Sequence, residues 1–201
     1  MIYKLLNFMK KIFVLLLAAS ASLFAFTPIA LNTWTADKSH SKVGFSVTHM
    51  LISDVEGSFK NFESTVTASK DDFSDAVVNL SADVKSVSTD NEKRDAHLLN
   101  ADFFDAEKYP KLTFKSTSVK KVSANKFKVN GLLTFHGVSK PVELDATLRG
   151  VNTNANTKKS VAGFKVTGTI KRSDFNFGTK YPGAVLSDEV ELTANTEFIK
   201  N

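Results

Sequence analysis

From Trp34 onward, apolar side chains recur at every second position in segment after segment, and this alternation narrows the fold more than any other feature. In Ser41–Met50, Val43, Phe45, Val47 and His49 share one face, with Ser46 and Thr48 on the other. Val55, Gly57 and Phe59 continue the pattern. Phe62–Ala68 follows around Val66, and then a long run from Ala76 to Ser88 aligns Val78, Leu80, Ala82 and Val84. Beyond residue 110 the runs are 111–119 with Leu112 and Phe114, 127–135, and one entered through Pro141 that aligns Val142, Leu144, Ala146 and Leu148. The last two are 161–172 with Phe164, Val166, Gly168 and Ile170, and 187–199 with Val190, Leu192, Ala194, Thr196 and Phe198. Polar turn residues separate them at Lys70-Asp71-Asp72, Ser123-Ala124-Asn125, His136-Gly137 and the Asn- and Lys-rich stretch 152–160. Eight to ten short alternating strands mean an all-β antiparallel sandwich or closed barrel. A barrel of about eight strands is favoured, and its interior is just wide enough for side chains or one slender ligand.

One stretch breaks the period. Ser86–Pro110 contains Thr89 and Glu92 at capping-box spacing, with Asp90 and Glu92 where a helix dipole favours negative charge. Ala96, Leu99 and Phe103 recur at helical spacing, and Tyr109-Pro110 ends the pattern because the residue before proline leaves the α region. The expectation is one short helical excursion, about residues 90–105, carrying Arg94, Asp95 and His97.

Met1 to Ala25 reads as a secretory signal peptide. Lys4, Lys10 and Lys11 precede an apolar run, Ile12–Ala19, too short to span a bilayer, and small residues place cleavage after Ala21 or Ala25. Residues 26–201 then form one domain. Without the three lysines the formal charge falls from +5 to +2, so the basic balance does not argue for nucleic acid. There is no cysteine, which excludes disulfides, thiol catalysis, thiolate metal sites and a lipidated N-terminal Cys. A secreted domain without disulfides must rely on its core, and 17 Phe against one Trp and three Tyr supply a large apolar stock for a core or a cavity lining.

The polar chemistry is sparse. His40, His49, His97 and His136 show no H-x-H or H-E-x-x-H spacing, so no metal site is read, and no G-x-S-x-G elbow marks a nucleophile. No catalytic residues are assigned. His49, on the face of Phe45 and Val47, is either a satisfied structural histidine or a donor to a ligand carbonyl. Arg94 and His97, three apart, would share a helix face. Arg94 could hold a pyrophosphate or carboxylate, and Asp95 could instead pair with Arg172 to lock the helix to the barrel, with Asp174 in the same network. Gly44, Gly57, Gly131 and Gly168 sit inside strand patterns, as bends or as clearance for a ligand.

Several of these residues stand in the order of a known family. Trp34, Asp37, His40-Ser41, Phe45 and His49 come first, then Gly57-Ser58-Phe59 and Arg94-Asp95-x-His97-Leu98 with Asp102-Phe103-Phe104-Asp105. Tyr109-Pro110, Gly131–Val142 and Arg172-Ser173-Asp174-Phe175 follow. This series resembles the YceI-like family of lipid- or polyisoprenoid-binding proteins. The resemblance implies a periplasmic, lipocalin-like antiparallel β-barrel with a long apolar pocket. Its ligand would be a long-chain amphiphile, namely an isoprenoid quinone, a polyprenyl chain or a fatty-acid derivative, with no cofactor. It also implies a homodimer and transient contact with a membrane. The lipid-binding set it points to is Phe45, Val47, His49, Phe59, Val78, Leu80, Arg94, His97, Leu98, Phe103, Phe114, Leu133, Phe164 and Val166. One departure is the Asn176-Phe177 pair, which separates the R-S-D-F block from Gly178 and changes the loop there. A small outer-membrane barrel and a lipid-modifying or stress-response enzyme stand as alternatives.

Overall fold

The computed structural model describes Tyr3 and residues 31–201; the signal-peptide reading of residues 1–25 lies outside the described residues. The strands are β1 (Asn32–Ala36), β2 (Lys42–His49), β3 (Ser53–Phe59), β4 (Phe62–Ala68), β5 (Val77–Asp83) and β6 (Val87–Ser88). After helix α1 (Glu92–Leu98) come β7 (Lys111–Lys121), β8 (Lys126–Phe135), β9 (Val138–Thr153), β10 (Ser160–Lys171) and β11 (Leu186–Lys200). Every pairing is antiparallel.

Eleven strands make eight staves. β1 and β2 both pair with β11, at Ala36↔Phe198 and Val43↔Ala194, so they are two halves of one stave bent between them. A 3-10 turn, Lys38–His40, makes that bend, and the Asp37 side chain caps it by accepting from the Ser39 N–H at 2.9 Å. β3 and β4 are likewise one stave broken at Lys60-Asn61, pairing with β2 and β1 in turn. β5 and β6 form a third, interrupted by the 3-10 turn Val84–Ser86 under an Asp83 cap. The long strand expected over Ala76–Ser88 is therefore two strands with a corner. Each stave pairs with the next in sequence, and β11 returns to β1 and β2, which closes an up-and-down barrel.

The inward face is the apolar register read from the alternation, and the outward face is charged, with Lys111, Lys115, Glu143, Asp145, Lys165, Glu189 and Glu191 all exposed. Gly57 and Gly131 have a steric purpose. A Cβ at Gly57 would overlap the Phe45 ring and one at Gly131 the Phe114 ring, so each glycine lets an aromatic ring lie flat across the neighbouring strand. That clearance is filled by the chain's own side chains rather than left for a ligand.

The helical excursion is shorter than the sequence pattern suggests. α1 has seven residues, its N-cap is Asn91, and the Asn91 side chain accepts from the Arg94 N–H at 3.0 Å. Thr89 is not the cap because Asp90, at φ +58°, turns the chain between them. Ala96 is exposed, and Phe103 lies beyond the helix in a series of turns, buried.

Candidate functional site

The barrel encloses an apolar cavity of about 440 Å³. Its two ends differ. At the lower end, the 69–76 loop between β4 and β5 folds Phe73 inward, where it is buried against Trp34 and Phe164, both at 5.3 Å between ring centroids. Phe73 has φ +58°, an outlier for a bulky residue, and the flanking carboxylates hold it there. Asp75 accepts from the Ser69 hydroxyl and N–H and from the Lys70 N–H. Asp72 accepts from the Ser74 N–H at 3.1 Å and from Lys121 Nζ at 2.8 Å. The Lys121 ammonium holds the Asp72 carboxyl well below the usual carboxylate range.

The upper end is covered by α1, the turns after it and the segment that follows β10. Arg172 organises this cover. It is buried, and its guanidinium donates to five backbone carbonyls, those of Ser187 (3.0 Å), Phe177 (3.1 Å), Gly178 (2.6 Å), Tyr181 (2.6 Å) and Leu186 (2.9 Å). The α1 side is latched to it. Lys180 Nζ donates to Asp102 Oδ1 at 2.6 Å, the Gly178 N–H donates to the Asp102 carbonyl at 3.0 Å, and Phe103 stacks on Tyr181 at 5.2 Å. The Asp102 carboxylate raises the Lys180 pKa above its ordinary value.

Fourteen residues were expected to contact lipid, and all of them lie on the cavity wall. Phe45, Val47, Phe59, Val78, Leu80, Phe114, Leu133, Phe164 and Val166 make the apolar barrel interior, while Leu98 and Phe103 belong to the cover. His49, Arg94 and His97 are at the upper rim with Tyr181, whose hydroxyl is 3.4 Å from His97 Nε2.

The lock expected between Asp95 and Arg172 is absent. Asp95 Oδ1 instead accepts from the Thr89 N–H (2.8 Å) and hydroxyl (2.6 Å), and Arg172 spends its donors on carbonyls. Asp174 is exposed outside that network, and Asp188 takes the Ser173 N–H and hydroxyl. Arg94 joins the Thr89 cluster through Nε to the Thr89 hydroxyl (2.7 Å) and Nη2 to its carbonyl (2.8 Å), so it is positioned from behind. Among the described residues its Nη1 has no hydrogen-bond partner, which leaves the two N–H donors of that nitrogen at the rim.

The other histidines serve elsewhere. His136 Nδ1 lies 3.1 Å from the Phe175 carbonyl, and His40 pairs with Asp37 at 2.8 Å outside the cavity. Asp37, His40 and Glu197 are the one group of potential metal ligands close together among the described residues, and all three are at the outer wall. One buried polar atom on the cavity wall has no partner among the described residues, the Thr196 hydroxyl.

Sequence reasoning missed Phe73, Phe104, Arg172, Phe177, Tyr181 and Thr196 as wall residues. Thr196 and Phe104 carried a signal, the first in the alternation of the last strand and the second in the D-F-F-D block. Phe73 and Tyr181 lie in loops, where no period reports orientation.

Eight antiparallel staves around an apolar well with a polar rim define a lipocalin-like barrel. The chain belongs to the YceI-like family, whose YceI-like domain it matches over residues 34–198. It is 39% identical over 161 residues to protein YceI of Salmonella newport, an alignment covering 80% of this chain and 82% of that protein. Among solved structures, Campylobacter jejuni YCEI protein superposes with a TM-score of 0.68 at 36% identity, covering 82% of this chain and 96% of the other. Burkholderia cenocepacia BcnA gives 0.73 at 26%, covering 81% and 98%. A polyisoprenoid binding domain from Saccharophagus degradans, implicated in plant cell wall breakdown, gives 0.62 at 15% over 84% and 98%, a likeness of fold.

Proposed function

We propose that the protein binds one long-chain amphiphilic lipid and carries or sequesters it in the periplasm, without altering it chemically. The lipid would be an isoprenoid quinone, a polyprenyl derivative or a fatty-acid derivative. The observation that carries the reading is the cavity itself, which is apolar along its length, floored by Phe73 and rimmed by Arg94, His97, His49 and Tyr181. A tail fits the well and a polar head fits the rim. Each buried methylene contributes about 0.8 kcal/mol, so ten give roughly 8 kcal/mol before ordering is counted. A hydrogen bond from Arg94 to a charged head adds about 1.5–3 kcal/mol. The tail therefore sets affinity, and the rim sets orientation and head-group selectivity. Membership of a family with a polyisoprenoid-binding domain among its structural neighbours supports the ligand class.

The periplasmic location rests on the signal-peptide pattern at residues 1–25. The charged outer face supports a barrel that faces water, because lysines and carboxylates on the lipid face of a membrane barrel are destabilising at depth. Native mass spectrometry of protein released by osmotic shock, followed by solvent extraction, tests the whole reading. The expected result is one equivalent of an unmodified long-tailed lipid. An empty protein that takes up no such lipid when offered it would overturn the carrier reading, and a chemically altered lipid would favour an enzyme.

A further inference from the structure

The β2–β3 hairpin turns over at the cavity rim through Met50, Leu51 and Ile52, which are 55%, 69% and 84% exposed. Met50 and Leu51 have φ of +51° and +63°, and the Ile52 N–H closes the turn on the His49 carbonyl at 3.2 Å. Positive φ at both central residues is the arrangement that Asn and Gly supply in two-residue hairpin turns. A Met-Leu pair is unfavourable there twice over, since the backbone is strained and the side chains face water. The Met50 N–H donates to the Val185 carbonyl at 2.9 Å, which ties the tip to a second exposed apolar side chain, Val185. The flanks of this patch, His49, Val55 and Val185, are themselves cavity wall.

We propose that Met50, Leu51 and Ile52, with Val185 beside them, are a wedge that enters the headgroup–acyl boundary of a lipid bilayer and seats the cavity mouth on the membrane. This rests on the lipid-binding reading, and it gives the tail a path from bilayer to barrel that avoids water. A second copy of the chain is the poorer occupant. A stable dimer buries roughly 800 Å² per partner from 20–30 residues, more than four side chains at one tip supply. A bilayer accepts a small apolar wedge, and the weak binding that results suits repeated docking and release.

The test compares the wild-type protein with Met50→Asn/Leu51→Gly, which installs the favoured turn residues, and with Ile52→Ser, which leaves the turn intact. Co-sedimentation with vesicles of phosphatidylethanolamine and phosphatidylglycerol is measured, together with the transfer rate of a dansylated prenol from those vesicles. Affinity for the same prenol delivered from detergent is measured separately. The expected result is a loss of about tenfold or more in vesicle partitioning and transfer rate in the double variant, and a smaller loss in Ile52→Ser. Affinity from detergent stays within about twofold. Equal vesicle binding by all three proteins overturns the proposal. So does a wild-type dimer that both variants convert to monomer in sedimentation velocity, which would assign the tip to a second copy. The vesicle arm needs no occupied cavity and the detergent arm needs no wedge, so this proposal and the lipid-binding reading fail separately.

Discussion

Thr196 is the residue whose environment fits its chemistry least. Its hydroxyl is buried on the cavity wall without a partner, and an unsatisfied buried polar group costs on the order of 1–3 kcal/mol. Thr196→Val keeps the shape and removes the polarity, so urea unfolding is expected to show a gain of about 1 kcal/mol or more. A loss would mean that the hydroxyl is satisfied in solution by water or by the ligand. Asp37 and His40 make the opposite case, an exposed pair that suits both partners. Asp37 raises the His40 pKa above 6.5, mainly by its hydrogen bond, and His40 lowers that of Asp37 in return. The signs fix the window. The histidine's contribution is full below pH 6.5 and fades as pH rises through its raised folded value. The aspartate's contribution is present above pH 3.8 and fades as pH falls below it. An NMR titration should place the His40 midpoint above 6.5 in the wild-type protein and lower it in Asp37→Asn, where only the Glu197 charge still raises it; an unmoved midpoint would show that the pair does not persist in solution.

The element that depends most on one side chain is the segment from Arg172 to Leu186. Its carbonyls at Phe177, Gly178, Tyr181 and Leu186 point at one guanidinium, and Ser187 adds a fifth. A lysine has three donors on a single nitrogen and cannot reproduce that planar fork. Arg172→Lys is therefore expected to destabilise by about 3 kcal/mol or more in urea unfolding and to speed hydrogen exchange at Gly178 and Tyr181. Unchanged exchange there would show that the segment is held by its aromatic contacts instead. The staves were legible in the sequence because a period of two declares which face is buried, as in Val190, Leu192 and Ala194. The corners were not. At Asp37 and Asp83 a single carboxylate caps a three-residue turn within an otherwise continuous alternation. Asp95 was misassigned for a related reason, since composition shows that a carboxylate needs a partner but not that Thr89 is nearer than Arg172. Arg172 was legible as a locking residue but not with its true partners, because those are backbone carbonyls that no residue type reveals.

The barrel is a sleeve with a floor, and the floor is its least legible part in the residue pattern. Phe73 sits among Lys70, Asp71, Asp72, Ser74 and Asp75, a composition that reads as an exposed turn, yet it is 2% exposed. Its strained backbone is held by Asp72 and Asp75, so the depth of the well is a property of that loop rather than of the staves. Consequently affinity should depend on tail length in two regimes. While each added methylene still enters the barrel it contributes about 0.8 kcal/mol, or roughly fourfold in Kd. Once the tail reaches Phe73, further methylenes stay in water and the gain stops. Phe73→Ala removes the floor and relaxes the requirement for a bulky residue at positive φ. It is expected to move the break to longer tails while leaving the slope for short tails unchanged. Isothermal titration with a homologous series of saturated amphiphiles measures both quantities. The variant should lose up to about 3–5 kcal/mol of stability with the ring, so its fold is checked by circular dichroism before titration. A break at the same length in a folded variant would mean that the staves set the depth, and a series with no break in the wild-type protein would mean that Phe73 yields to the tail.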